Sequence, residues 1–290
     1  MGIANRIKSQ VKKTILVLAA LLSSNVFRRI VHSAPRRLLL ILSHGNLKDK
    51  YANPDPPPKS LWGITANESN HMVIQGCDCV DLARRYDTPL FVVDRQRLEE
   101  NYRTFLESFQ QHYPLIEVGY SYKTNPLPGA LEVLHELGAS AEVVSPNELG
   151  LALKLNVPAE KIIYNGPGKS EAGLDLAVAN GIQLINIDSF NEIEKLGRLA
   201  RRYNHQQQVG VRVVTSVGWR RKFGFSIKSG DAFKAFESLK QQSYLKPCAL
   251  HFHLSTGVTN VKTYLTAVKE VLRFAERLKH ELAIKILYFD

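Results

Sequence analysis

Cysteine is nearly absent from this 290-residue sequence, which holds only Cys77, Cys79 and Cys248. Three thiols so placed exclude a disulfide framework. The C-x-C pair also lacks the second pair that a tetrahedral zinc site needs, so a reducing, cytoplasmic compartment and no structural metal are expected. Long apolar runs are lacking too. The run at 15–22 has eight residues, against the roughly 20 that a helical membrane span requires. No G-x-G-x-x-G follows the first strand-like segment, which weighs against a dinucleotide-binding fold. What is plentiful is core-forming material: 44% hydrophobic and 22% charged residues suit a folded α/β-sized domain.

The formal charge of +11 suggests nucleic acid until its distribution is examined. Residues 1–50 carry ten Lys/Arg against the single acid Asp49, and only +2 is left for the other 240 residues. The basic charge therefore belongs to a leader, and no nucleic-acid partner is expected. In that leader Ile3, Ile7, Val11, Ile15, Leu18 and Leu22 recur at spacings of three and four, one face of a helix. Three readings remain open: a basic amphipathic segment making peripheral membrane contact, a helix packed on the domain or a partner, and a cleaved signal. Asn53-Pro54-Asp55-Pro56-Pro57-Pro58 cannot be helical, so 51–70 is read as a Pro-rich linker, with the folded domain at 71–290.

From residue 89 onward short β-rich runs alternate with helical periodicity. Strands are expected at 89–94 (PLFVVD), at the run ending in Lys123, and at 141–144, 161–164, 184–187, 209–214, 249–254 and 285–289. Helices are expected at 95–112, 128–137, 148–155, 171–180, 190–203 and 261–280. Such alternation means parallel strands joined by crossover helices, either doubly wound or closed as a (β/α)8 TIM-type barrel; the barrel is preferred.

Two stretches carry candidate chemistry. In Tyr120-Ser121-Tyr122-Lys123-Thr124-Asn125 the lysine sits where a strand meets a Pro/Gly loop. Gly119, Ser121 and Lys123 share one face, leaving room before an amine able to condense with a carbonyl. In Ala249-Leu250-His251-Phe252-His253-Leu254-Ser255 alternation sends His251 and His253 inward and Leu250, Phe252 and Leu254 under the outer helices. H-x-H also occurs in metal sites, and Glu142 and Asp188 could complete one by spacing alone.

Together these segments resemble the fold-type III PLP-dependent amino acid decarboxylases, the ornithine, diaminopimelate and arginine group. The first stretch is similar to that family's Y-A-V-K-A-N. Ala141-Glu142-Val143-Val144-Ser145 with Glu148-Leu149 is similar to its A-D-V-V-S-x-x-E-L. Ile162 to Ser170, Lys222-Phe223-Gly224 and Leu250 to Leu254 match further blocks in order.

The resemblance implies pyridoxal 5'-phosphate as cofactor, no metal, and α-decarboxylation of a basic or diamino acid in lysine or polyamine biosynthesis. By the same resemblance Lys123 would carry the cofactor and His253 would lie on its ring face, Lys123 and His253 being the catalytic pair. Glu142 would face its cationic nitrogen, and Thr256 would meet its phosphate. Arg220 and Arg221 offer contacts for a distal carboxylate. The family's glycine loop, its E-P-G-R strand and its C-terminal β-domain have no counterpart before Asp290, so a barrel lacking its last strand is expected. The implied assembly is a homodimer, or a heterodimer with a longer homologue. Alongside the enzyme stands an alternative, a non-catalytic homologue that binds and regulates an active decarboxylase.

Overall fold

The computed structural model describes residues 63–290 apart from 219–222, 256–257 and 259. The leader and most of the linker lie outside the described residues. Two compact units divide at Pro89 and Leu90.

The described part of the first unit is an antiparallel meander, β1 (Ile64–Ala66), β2 (Met72–Ile74) and β3 (Cys77–Asp78), followed by α1 (Cys79–Tyr86). Asp78 joins these pieces, since its carboxylate accepts from the Val80 N-H at the start of α1, from Asn67 Nδ2 at 2.7 Å and from His71 Nδ1 at 2.8 Å. The hydrogen bond from His71 is the main cause holding the Asp78 carboxyl below its ordinary range. Strand β1 falls inside the expected linker, and 71–89 belong to this unit rather than to the barrel, so both expected boundaries are corrected. A three-residue strand with one polar member is too short for periodicity to mark.

In the second unit the chain runs α2 (Arg95–Gln110), β4 (Gly119–Ser121), α3 (Pro128–Glu136), β5 (Ser140–Val143), α4 (Pro146–Lys154), β6 (Ile162–Tyr164), α5 (Glu171–Ala179), β7 (Leu184–Ile187) and α6 (Phe190–Arg202). It continues with β8 (Gln207–Val214), β9 (Phe225–Ser226), α7 (Asp231–Lys240), β10 (Leu245–His251), α8 (Val261–Leu282) and β11 (Tyr288–Phe289). The main strands pair in parallel in the order β11-β10-β8-β7-β6-β5-β4, with β9 added beside β8. Seven strands in chain order with outer helices form an incomplete (β/α) barrel. Among the described residues β4 and β11 each have one neighbour, and a seam lies between them.

The expected strand at 89–94 is absent. Leu90, Phe91, Val92 and Val93 are exposed, Phe91 at 96%, and the segment pairs with no described strand. A β-prone sequence without a partner edge gains neither ladder hydrogen bonds nor burial.

Alternation divides each strand between two environments. On the outer side Ala141, Val143, Ile162, Tyr164, Ile185, Ile187, Val209, Val211 and Leu250 pack under the helices in one core. Inside, Ile163, Leu184, Ala249 and Tyr288 cluster toward the amino ends of the strands. Ser145 caps α4 by accepting from the Glu148 N-H, while Glu148 Oε2 accepts from the Val144 N-H, so the S-x-x-E pattern secures the turn leaving β5.

A buried ion pair ties two further turns. Lys169 Nζ donates to the Asn186 carbonyl at 2.5 Å and lies 3.3 Å from Glu192 Oε2, whose carboxylate also accepts from the Lys169 and Asp188 N-H groups. Both side chains are almost fully buried. Replacing Lys169 by Met leaves the Glu192 charge without its partner, so a loss of about 3–5 kcal/mol is expected. Urea unfolding checks this: the midpoint should fall while the slope stays near wild type.

Candidate functional site

The register of the seven strands brings polar side chains together at their carboxyl ends. Ser121 pairs with Glu142 and Asn186 with Gly210, while Arg212 pairs with His251. Asn186 Nδ2 donates to Asn165 Oδ1 at 2.5 Å and to Asp290 Oδ2 at 2.6 Å. His251 Nδ1 stands 3.1 Å from Asp290 Oδ2, and Arg212 Nε 3.8 Å from Asp188 Oδ1. Gly210 is what admits Asn186, since a Cβ there would lie 1.8 Å from Asn186 Oδ1. The result is a polar layer above the apolar interior of Leu184 and Ala249.

Over this layer opens a cavity of about 1410 Å³, bordered by Ser121, Lys123, Glu142, Arg212, His251 and His253. Its wall continues along the seam past Gly119 and Tyr288. Lys123 and His253, both exposed, stand at this mouth with the half-buried Glu142. Three of the four site residues expected from the sequence are thus brought to one cavity. Thr256 lies outside the described residues, as do Arg220 and Arg221. Phe252, expected under the outer helices, also borders the cavity, because β10 ends at His251 and strand alternation ends with it.

Arg212 and Asp290 complete the layer and were not among the expected site residues. Arg212 was readable in principle: Val209, Val211 and Val213 mark the outer face of β8, which leaves Arg212 inward. Phe223 and Gly224 of the K-F-G block close on it. The guanidinium lies 5.3 Å from the Phe223 ring centroid, and Gly224, at φ +82°, meets the Arg212 backbone where a Cβ would come within 2.6 Å of its carbonyl oxygen.

Most of the charges that act on His253 are cationic. Burial lowers the His253 pKa, and the nearby charges of Lys123, Arg212 and His251 lower it further, with Glu142 opposing them. His253 is therefore neutral at neutral pH, with a flat face available for stacking. Burial raises the Asp188 pKa against the pull of Arg212, and burial lowers that of Arg212 against Asp188. The buried Ser121 Oγ has no hydrogen-bond partner among the described residues, which fits a polar group bound in front of it. No three His, Cys, Asp or Glu side chains converge on a metal-ion position among the described residues.

The fold and this site define a parallel α/β barrel that presents a lysine amine, a neutral imidazole and a carboxylate around one open cavity. The chain belongs to the pyridoxal-dependent decarboxylase family, whose pyridoxal-binding domain matches residues 96–290. Diaminopimelate decarboxylase of Methanocaldococcus jannaschii is 28% identical over 223 residues, covering 72% of this chain and 51% of that protein. The enzyme of Actinosynnema pretiosum is 32% identical, covering 73% and 50%. The crystal structure of the Methanocaldococcus jannaschii enzyme in complex with L-lysine superposes with a TM-score of 0.73 at 26% identity, over 78% of this chain and 55% of that one. The chain spans about half the length of the curated relatives it matches.

The charges around His253 yield a signed prediction. A histidine whose folded pKa is depressed binds protons more weakly folded than unfolded. Its contribution to stability is therefore intact above the unfolded pKa and declines as pH falls through that value toward the folded one. In Lys123→Ala one cation is removed, and the His253 titration followed by NMR should move up toward 6.5. Glu142→Gln should move it further down.

Proposed function

We propose that this barrel holds pyridoxal 5'-phosphate on Lys123 and supports α-decarboxylation of a basic or diamino acid, in lysine or polyamine biosynthesis. The observation that carries the reading is the meeting of Lys123, Glu142 and His253 at one cavity. When bound, the cofactor supplies an electron sink for the bond to the departing carboxylate. Lys123 offers the attachment amine at the rim, where an incoming substrate amine can reach it. His253, kept neutral by burial and by its cationic neighbours, would stack on the cofactor's flat ring and orient it. Glu142, inward on β5, presents a carboxylate to the cationic nitrogen. Arg212 would add positive charge where a phosphate or substrate carboxylate settles. The backbone after His253, with Thr256, is the proposed phosphate contact.

The relatives named as diaminopimelate decarboxylases favour a substrate with two amino groups. A second reading draws support from the open seam. Among the described residues β4 and β11 each have one neighbour, and Leu287 and Phe289 are exposed, which suits pairing with a longer homologue.

Incubation with pyridoxal 5'-phosphate, borohydride treatment and peptide mapping test the first reading. Fixation at Lys123, lost in Lys123→Ala, is expected; fixation elsewhere or nowhere overturns it. Carbon dioxide release from diaminopimelate, lysine, ornithine and arginine then separates the two readings. Release from one of them supports the enzyme, and none, with stable binding to a longer homologue, supports the regulator.

A further inference from the structure

We propose that Tyr122 and His135 are positioning residues for Lys123, fixing the end of β4 through a hydrogen bond on the outer face of the sheet. The inference rests on Lys123 as the cofactor's attachment point. Tyr122 stands where the Y-A-V-K-A-N pattern has valine, and it points away from the cavity that Lys123 faces. Its side chain is fully buried among Leu131 and Leu149. Tyr122 Oη is 2.7 Å from His135 Nε2, and His135 Nδ1 is 2.8 Å from the Ala139 carbonyl.

The proton positions follow from the partners. A carbonyl only accepts, so Nδ1 carries hydrogen and donates to Ala139. Burial lowers the His135 pKa and raises that of Tyr122, so the imidazole is neutral with a bare Nε2 and the phenol keeps the proton that it donates. Ala139 precedes β5, three residues before Glu142. One hydrogen-bonded path therefore runs from the neighbour of Lys123, through α3, to the start of the strand that carries Glu142.

The need for such a path lies in the short ladder of β4. Its pairing with β5 covers only Gly119 to Ser121. Past it, the Tyr122 N-H donates to the Glu142 carbonyl and the Thr124 N-H to the Ser121 carbonyl. Lys123 lies between these two contacts with its side chain exposed, so its aim depends on how firmly Tyr122 is seated. Valine in that place would fill volume without a directional contact.

Full-length chain with pyridoxal 5'-phosphate as probe tests this by three measurements: cofactor affinity from the absorbance of the bound form, borohydride fixation at Lys123, and thermal unfolding. Tyr122→Phe keeps the ring and removes the donor; affinity and fixation rate should fall roughly tenfold. The double variant Tyr122→Phe/His135→Leu removes the orphaned imidazole. It should regain thermal stability while cofactor affinity stays low. His135→Gln, which can still accept from Tyr122, should stay within about twofold of wild type. Wild-type affinity in Tyr122→Phe, or a double variant that regains affinity together with stability, overturns the proposal in favour of packing alone. If the wild-type chain shows no fixation at Lys123, the cofactor reading fails and this inference with it. That result differs from a failure of positioning alone, in which wild-type Lys123 is fixed and the variants match it.

Discussion

Parallel register is the constraint on which the site depends. Side chains on a strand alternate with a period of two, so shifting β4 by one residue against β5 would exchange its faces. Lys123 would then turn under α3, and the Tyr122 ring would fill the cavity. The same applies along the sheet: Ser121 beside Glu142, Asn186 beside Gly210 and Arg212 beside His251 form a layer only in this register. The outer face enforces it, because Ala141, Val143, Ile185, Ile187, Val209 and Val211 would otherwise leave the core. Hydrophobic burial on one side thus sets the position of charge on the other.

That charge is arranged so that acids and cations moderate each other rather than cancel. Asp188 and Arg212 are held 3.8 Å apart, each disfavoured in its charged form by burial and favoured by the other. Asp290 sits near His251 and accepts from Asn186; burial opposes its ionisation, yet these partners hold its carboxyl below the ordinary range. Lys169 and Glu192 neutralise each other behind the layer, so their charges shape turns more than they act on the mouth. Lys123, Arg212 and His251 remain to act on His253, and all three oppose its protonation. A neutral imidazole is the form that stacks on a flat ring without competing for its negative groups.

Much of this arrangement was legible in the residues. Helix periodicity and apolar runs locate the elements from α2 to β11 closely, with β7 matched end to end at 184–187 and α7 and the short β9 missed. β9 has only two residues, too few for any pattern to announce it. Lys123, Glu142 and His253, which border one cavity, stood out in the sequence because they sit in contiguous motifs. Arg212 and Asp290 were not, since their roles come from register between strands far apart in sequence. The segment at 89–94 failed for the opposite reason: its local pattern is strong, but strand formation needs a neighbour, which no local pattern encodes.

The seam shows how a local substitution can answer a global geometry. A strand inside a sheet is held on both sides, and its side chains need only fill space. At the edge, β4 has β5 alone and a three-residue ladder, while bearing the residue whose placement must be most accurate. Glycine and serine at 119 and 121 leave the inner side open for a ligand, so neither braces the strand from within. Restraint has to come from the outer side. Tyr122 supplies it with a buried ring and a directed hydrogen bond to a helix already fixed by Leu131 and Leu134. Lys123 stays exposed at the rim while the residue beside it is among the most enclosed in the protein.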